Sequence, residues 1–324
     1  MAKPKQSATE LYQQARSGSR RALGRLLTMV ERGGPDADLV SDLSHQDSGQ
    51  AHIVGITGAP GSGKSTLVGQ LVQLLAAHGK TPAVLAVDPS SPLTGGAILG
   101  DRIRMDEGDA SSASFIRSMA TRGHSGGLAV AVPSAIRLFD AVGYDPVLVE
   151  TVGVGQVEVD VVGAADTAVV VMTPGMGDAV QANKAGLLEV ADLFVVNKAD
   201  RPGANDVRRD LDLMLDLSHM TGQEDSSGYR PPIIMSSAID GDGVDTIWAA
   251  TEDHLAMLGS HSRLDARRRH RVQTEIEAIM KRSFGLQLQA AIDSATGREL
   301  IESAKRGDLS PSAACVKLMS ELKV

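Results

Sequence analysis

The sequence has a single cysteine, Cys315, among its 324 residues. One cysteine cannot form an internal disulfide or build a thiolate metal site, which agrees with a reducing compartment. The eight histidines show no cluster with metal-ligand spacing, which argues against a metal site built from them. There is no run of eighteen apolar residues, and the first thirty residues lack the apolar core of a secretory signal. We therefore expect a cytoplasmic protein that does not enter a membrane.

Aromatic residues make up only 2% of the chain, and the formal net charge is −8. Few aromatic rings leave few surfaces on which bases could stack, and a negative charge opposes non-specific binding to a phosphate backbone. Nucleic acid is therefore not expected as a partner. The hydrophobic share of 42% is ordinary for a globular protein, so a chain of this length can bury a substantial core.

What the chain does contain is a glycine-rich loop, GAPGSGKST. An apolar run precedes it and apolar residues at helical spacing follow it, which is the context of a phosphate-binding loop between a strand and a helix. In such a loop the backbone N–H groups surround the phosphates, the lysine bridges the outer phosphates, and the hydroxyl after the lysine binds Mg²⁺. The predicted nucleotide-binding residues of the loop are Gly58, Ala59, Pro60, Gly61, Ser62, Gly63, Lys64, Ser65 and Thr66.

From residue 51 onward, short apolar runs alternate with helical patterns. Continuous runs rich in Val and Ile are typical of strands that are buried on both faces of a parallel sheet. We predict an α/β fold with a doubly wound, mostly parallel sheet, in which ligands bind beyond the carboxyl ends of the strands. The candidate strands are residues 53–57, 83–87, 146–151, 168–172, 193–197 and 233–236.

Acidic residues follow two of these strands. Asp88 and Asp101 lie in or beside a glycine-containing segment that suits contact with Mg²⁺ and the outer phosphate, although each could instead cap a helix or a turn. Glu150 ends a strand and Gly153 follows three positions later. Nucleotide switches have this pattern: the acid holds Mg²⁺ through water and the glycine N–H contacts the γ-phosphate. Val154 stands where a Ras-like GTPase has its water-orienting glutamine, so the group that orients the attacking water stays unassigned.

The nucleotide base is indicated by Asn197, Lys198 and Asp200, which end the strand at 193–197. An aspartate accepts hydrogen bonds from both N1–H and the N2 amine of guanine, and adenine offers no such pair. The asparagine would fix the loop and the lysine stem would cover the ring. The motif therefore selects GTP over ATP. The loop that fits guanine O6 consists of Ser237, Ala238 and Ile239.

A further loop is predicted at residues 173–186, where glycines, Asp178 and Lys184 follow a strand. Such a composition suggests a mobile loop that faces the nucleotide. The alternative is an ordinary connection to a helix that Asp178 caps.

Beyond Trp248 the strand pattern stops and helices are predicted at residues 262–284 and 309–322. A helical arm with too little surface for its own core must pack on its own domain or on another subunit. We predict that the run RRRHR at 267–271 is a solvated helix face; a surface for an acidic partner is the alternative.

Taken together, the phosphate-binding loop, DPSSPLTGGAILGDRIRM, VETVGVGQ, PGMGD and NKAD closely resemble the MeaB/ArgK family of P-loop GTPases over nearly the whole chain. The resemblance implies a homodimeric GTPase that binds GTP or GDP with Mg²⁺. It also implies a chaperone that gates cofactor loading and protects an adenosylcobalamin-dependent acyl-CoA mutase, chiefly methylmalonyl-CoA mutase. By this resemblance Asp88, Asp101 and Glu150 are magnesium and switch carboxylates, and Asp178 and Lys184 belong to a switch loop that responds to the partner.

The resemblance also suggests three domains: an N-terminal helical extension at 1–47, a P-loop GTPase domain at 48–258 and a C-terminal helical dimerisation arm at 259–324. Some relatives are fused to a mutase. This chain lacks the Asp-x-His-x-x-Gly cobalamin signature, so we expect a mutase to bind in trans. Two alternatives are a metallochaperone GTPase, which needs a Cys or His cluster, and a kinase of transport-system binding proteins, which would tolerate ATP.

Overall fold

The computed structural model describes residues 6–88, 114–120, 125–151, 163, 165–175, 190–221, 229–260 and 262–321. The chain divides into two compact units, Met1–Arg271 and Val272–Val324. The unit boundary differs from the predicted start of the arm at residue 259, and the domain boundaries stay a prediction.

Seven strands of the described chain form one sheet in which every neighbouring pair is parallel. The strands are β1 (Ile53–Gly58), β2 (Ala83–Asp88), β3 (Phe115–Ala120), β4 (Val147–Thr151), β5 (Thr167–Met172), β6 (Leu193–Asn197) and β7 (Ile233–Ser236). Their order is β3-β2-β4-β1-β5-β6-β7. The predicted α/β fold is therefore confirmed. The edge strand β3 was not predicted.

The helices of the described residues come before, between and after these strands in the sequence. They are α1 (Ala8–Arg16), α2 (Arg20–Arg32), α3 (Pro35–His45), α4 (Lys64–Ala77), α5 (Ser125–Ala141), α6 (Ala204–Thr221), α7 (Val244–Ser260), α8 (Arg263–Asp293), α9 (Ala295–Lys305) and α10 (Pro311–Glu321). None of these helices combines the length and the apolar character that crossing a membrane requires.

Both faces of the sheet are covered, which explains why its strands are continuous apolar runs. On one face, Ile53 and Val149 pack with the N-terminal helices and α5 in a core that includes Leu26 and Phe139. On the other face, Ile56, Leu148 and Val169 pack with residues of α4 and α7. The predicted helices before the main domain thus contribute to its core.

Four carboxylates bind backbone N–H groups at the amino edge of the sheet. They accept hydrogen bonds from backbone N–H groups that begin a strand or lead into one: Asp140 from residues 49–51, Asp145 from His52, Asp166 from Ile53 and Asp192 from Ala168. Buried donors such as those of His52, Ile53 and Ala168 need such acceptors because water does not reach them. The protein itself therefore satisfies these backbone donors.

Three arginines of the run in α8 lie on two of these carboxylates, so the prediction of a solvated helix face is wrong for Arg267, Arg268 and Arg271, whereas Arg269 and His270 are exposed. Arg267 donates to both oxygens of Asp192, at 2.7 and 2.9 Å. Arg268 donates to Asp166 at 2.9 Å and to the carbonyl oxygen of Ala51 at 3.1 Å. Because the side chain of Asp166 is fully buried, it needs a cationic partner that sequence spacing does not reveal.

A chain of buried polar side chains runs beneath the arginines. The Thr167 hydroxyl lies 2.9 Å from His52 Nε2 and 2.9 Å from His254 Nδ1, and His254 Nε2 lies 3.3 Å from an oxygen of Asp192. One hydroxyl donates only one proton. The Thr167 hydroxyl therefore accepts a hydrogen bond from at least one of the two imidazoles.

Burial disfavours the charged form of His52 and lowers its pKa to about 4. Burial alone would raise the pKa of Asp192, but hydrogen bonds from His254 and Arg267 outweigh it, and the pKa lies below its ordinary value. The carboxylate is therefore the charged partner of Arg267.

We predict that acid destabilises the fold through His52. An unfolded histidine titrates near ~6.5, so between about 6.5 and about 4 the unfolded chain binds a proton that the folded chain excludes. The free energy of unfolding then falls as pH falls through this window, by up to about 1.4 kcal/mol per pH unit. Denaturant unfolding from pH 7 to pH 4.5 should show a shallower pH dependence for His52→Gln, which keeps a polar partner for Thr167.

The control is His78→Gln, which changes an exposed histidine at the end of α4. It should keep the slope of the unchanged protein. An unaltered slope in His52→Gln would contradict the role of this ring.

Candidate functional site

The glycine-rich loop joins β1 to α4 at the carboxyl edge of the sheet, and two of its glycines, Gly58 and Gly63, are sterically required. A Cβ atom on Gly58 would lie 2.2 Å from the carbonyl oxygen of Val171, and one on Gly63 would lie 2.3 Å from Asn197 Nδ2. Gly63 also has a φ of +89°, which L-residues rarely adopt. The loop backbone therefore passes close to its neighbours and leads into the positive end of a 14-residue helix.

Lys64 is buried at the start of α4, and its ammonium is held over the loop. Its Nζ donates to the carbonyl oxygens of Gly58 at 2.6 Å and Ala59 at 3.1 Å. This cation and the amino end of α4 favour an anionic ligand at the same place.

Ser65 and Glu150 bring a hydroxyl and a carboxylate together beside the loop. Glu150 lies on β4 opposite Ile56 of β1, and its Oε1 accepts a hydrogen bond of 2.6 Å from Ser65 Oγ. Glu150 is 2% exposed. Oxygen atoms of these two types are the ligands that Mg²⁺ prefers, so this pair fits a magnesium ion held next to a phosphate chain.

Asn197 connects the loop with the two segments predicted to hold the base. Its Nδ2 donates to the carbonyl oxygen of Ser62 at 2.8 Å, and its Oδ1 accepts from the N–H of Ala238 at 3.0 Å. Lys198 extends over the loop and donates to the carbonyl oxygen of Gly61 at 2.7 Å. The phosphate-binding loop and the predicted base-binding residues therefore form one site.

Asp200 is exposed at this site and is oriented by a neighbour. Ser237 Oγ lies 3.2 Å from Asp200 Oδ1 and 2.5 Å from Asp240 Oδ2. Ile239 lies in the same loop and is 79% exposed. Asp240 was not among the predicted residues; the acidic GDG-containing sequence after Ile239 resembles an ordinary turn. The exposed carboxylate of Asp200 can pair with two N–H groups of a base.

Two buried hydroxyls at this edge have no hydrogen-bond partner within the part of the chain that the structure describes. They belong to Ser62, in the loop, and Thr173, directly after β5. Buried hydroxyls normally have a partner, and one left without it costs about 1–3 kcal/mol. Two unsatisfied hydroxyls beside a glycine loop fit a site at which a polyphosphate supplies the missing hydrogen-bond partners.

The remaining predicted residues are not placed. The backbone of Asp88 ends β2, which lies beside β4 in the sheet. The side chain of Asp88, and all of Asp101, Gly153, Asp178 and Lys184, lie outside the described residues. Their roles stay predictions. Among the side chains that are described, no group of three or more His, Cys, Asp or Glu residues could hold a metal ion.

Comparison with known families gives a match over most of the chain. The model of the family described as Methylmalonyl Co-A mutase-associated GTPase MeaB matches residues 23–293. A protein of Pyrococcus abyssi that is named as a GTPase is 44% identical, over 97% of this chain and 96% of its own length.

Two further similarities concern a longer protein and a solved structure. A fused isobutyryl-CoA mutase of Cupriavidus metallidurans is 41% identical over 60% of this chain, but that match covers only 18% of the mutase. The crystal structure of a LAO/AO transport system kinase is 28% identical, covers 99% of both chains and has a TM-score of 0.70.

We predict that Asp200 determines base preference. Asp200→Asn puts an N–H donor where the carboxylate accepted, which suits xanthine and leaves the guanine N–H groups badly paired. GDP affinity should fall about tenfold to a hundredfold, the equivalent of one unmade hydrogen bond to a charged group, and XDP should bind more tightly than GDP. Calorimetry with both nucleotides measures the change.

Asp240→Asn is the matched control, since it alters the other carboxylate beside the Ser237 hydroxyl. It should still prefer GDP. A GDP preference retained in Asp200→Asn would show that another group recognises the base.

Proposed function

The chain belongs to the MeaB family of methylmalonyl Co-A mutase-associated GTPases and is a GTPase, and we propose that it acts as a chaperone for an adenosylcobalamin-dependent acyl-CoA mutase. It would gate cofactor loading and protect the mutase from inactivation, with methylmalonyl-CoA mutase as the expected client. The family match over residues 23–293 carries this proposal. Further support comes from the Cupriavidus protein, in which a similar segment is part of one polypeptide named as a fused mutase.

We propose a division of roles within the nucleotide site. Lys64 and the loop N–H groups bind the phosphates, and Ser65 and Glu150 hold Mg²⁺, which neutralises phosphate charge when it is bound. Asp200 selects guanine, with Asn197 and Lys198 fixing its distance from the loop. Asp88 and Asp101 complete the magnesium and switch carboxylates, and Gly153 contacts the γ-phosphate.

Turnover by the protein alone should be slow. Val154 stands where a glutamine would orient water, and missing water-positioning or charge-stabilising groups typically cost GTPases about 10³–10⁵ in rate. A partner that orders such groups raises the rate. We propose that the mutase does so through the segment at 173–186, which begins at Thr173 beside the phosphate-binding loop.

We predict that an acyl-CoA mutase raises kcat for GTP well above the basal rate, and that Asp178→Ala or Lys184→Ala removes this stimulation. Basal turnover and GDP binding should stay nearly unchanged, because these residues respond to the partner. Steady-state phosphate release with and without methylmalonyl-CoA mutase is the measurement. Arg209→Ala, an exposed charge on α6, is the control and should be stimulated normally.

Equal loss of the basal and the stimulated rate would place Asp178 and Lys184 in the basal active site instead. No stimulation by the mutase would remove the chaperone proposal. The name of the LAO/AO transport system kinase makes phosphotransfer the second candidate function. Transfer of label from [γ-³²P]GTP to a transport-system binding protein, rather than release of phosphate, would favour it.

We also propose that the unit Val272–Val324 is a dimerisation arm. Five large apolar residues of α8 recur at helical spacing and are between 45% and 52% exposed in the single chain: Val272, Ile276, Ile279, Met280 and Phe284. Because a helix with such a stripe has too little surface for its own core, it is expected to pack on a second copy.

Truncation after Arg271 should give a monomer that still binds GDP. This cut keeps the arginines that pair with Asp166 and Asp192, so it does not leave buried carboxylates unpaired. Light scattering after size-exclusion chromatography measures the mass. Ile276→Glu with Ile279→Glu should have the same effect, whereas Leu213→Glu, at an equally exposed apolar residue of α6, should remain dimeric. A dimer in the truncated protein would refute the assignment.

A further inference from the structure

The residues proposed to bind the base lie next to two different elements, β6 and α7. They lie at the carboxyl edge of the sheet, here called the nucleotide edge. β6 ends at Asn197, and Asp200 follows in the next turn. α7 begins at Val244, directly after the loop that contains Ser237 and Ala238. At this edge the two elements are joined by the hydrogen bond between Ala238 N–H and Asn197 Oδ1 and by that between Ser237 Oγ and Asp200.

The same two elements are also joined at the opposite edge. Asp192 directly precedes β6, and His254 lies in the second half of α7; its Nε2 is 3.3 Å from Asp192 Oδ1. Both residues are buried, at 7% and 2% exposure. The hydroxyl of Tyr229 donates to the backbone oxygen of Asp192 at 3.0 Å, and its ring lies 5.2 Å from that of His254. This junction fixes β6 against α7 far from the nucleotide.

Arg267 completes the junction. Its guanidinium donates to both oxygens of Asp192 and, at 2.7 Å, to the backbone oxygen of Asp166. A bidentate pair of this kind has a fixed plane as well as a fixed distance. With Ala168 N–H and His254 also on the carboxylate, Asp192 has little freedom to move relative to α7.

A second arginine–carboxylate pair lies beside it, and neither of its residues belongs to β6 or α7. Arg268 donates to both oxygens of Asp166, at 3.2 and 2.9 Å. Asp166 precedes β5 and accepts from Ile53 N–H of β1. The chain therefore contains a control pair at the same edge, in which Asp166 also accepts from Arg271 at 3.5 Å.

We propose that Arg267, through Asp192 and His254, is a positioning residue for guanine recognition. The junction sets the spacing of β6 and α7, and thereby the position of Asp200 relative to Ser237 at the nucleotide edge. Hydrogen bonds weaken steeply with misalignment, so a small shift between the two elements reduces pairing with the base. This inference rests on the proposed role of Asp200 in recognising guanine.

The test compares GDP with IDP, which lacks the N2 amine that the aspartate would bind. We expect Arg267→Gln combined with Asp192→Asn to weaken GDP binding by about threefold to thirtyfold, the usual range for residues that act through a network. IDP binding should fall less, so the preference for GDP over IDP decreases. The double variant leaves no unpaired buried carboxylate, and the asparagine oxygen still accepts from Ala168 N–H.

The control is Arg268→Gln combined with Asp166→Asn. It removes the neighbouring arginine–carboxylate pair and should keep the GDP-to-IDP ratio of the unchanged protein, even where its melting temperature falls as far as that of the first double variant. Arg267→Lys keeps the charge but loses the bidentate geometry. It should give a GDP-to-IDP ratio between those of the unchanged protein and the first double variant, in a protein that is perturbed less.

Equal effects of both double variants on the ratio, or no effect of the first, would overturn the proposal. Failure of the underlying assignment is recognised separately. If Asp200→Asn does not change base preference, the role of Asp200 is wrong; if it does while Arg267→Gln with Asp192→Asn leaves the ratio intact, only the positioning role is wrong.

Discussion

The side-chain amide of Asn197 is the contact on which the nucleotide site depends. It is 2% exposed, and its donor and acceptor ends are both used, by the loop at Ser62 and by the backbone N–H of Ala238. An aspartate could not donate to the first partner, so only an amide of this length makes both bonds. Position 63 requires glycine, because a Cβ atom there would lie 2.3 Å from the amide nitrogen of Asn197. One planar group therefore joins the phosphate end of the site to the base end.

The two edges of the sheet differ in whether their buried polar groups have hydrogen-bond partners, and the two ends of β5 show this difference. At its amino end the hydroxyl of Thr167 is bonded on both sides by imidazoles, and the nearby carboxylates are paired with arginines. At its carboxyl end the hydroxyl of Thr173 is buried without a partner in the described chain. Since an unmade hydrogen bond costs more than a made one contributes, a buried hydroxyl without a partner at the carboxyl edge suits a place where a ligand can complete it.

The sequence indicates those features whose physical cause is local. The loop, the asparagine-lysine-aspartate turn and six strands follow from glycine positions, side-chain chemistry and continuous apolar runs. β3 was missed because Arg117 interrupts its apolar run, and this arginine pairs with Glu31 across 86 positions. α3 begins at Pro35, and the sequence alone does not decide this, because a proline suits a first helical position but is also common after the end of a helix. The arginine run was misassigned for a similar reason, since its carboxylate partners lie 75 and 102 positions earlier in the chain.

Recognition and hydrolysis are assigned to different parts of the chain, and this constrains what a partner can do. The groups proposed to bind the base and the phosphates are fixed to β1, β6, α4 and α7 by direct hydrogen bonds. Asp101 and Gly153, proposed to act on Mg²⁺ and the γ-phosphate, follow β2 and β4 in the sequence, and Asp178 and Lys184, proposed to respond to the partner, follow β5. A partner that acts on these residues can raise kcat without changing GDP affinity. If it also changes the affinity for GTP, then GTP must change the affinity for the partner by the same factor, because binding free energies are linked. Rate stimulation carries no such reciprocity, so the two effects report separately on partner binding and on the chemistry.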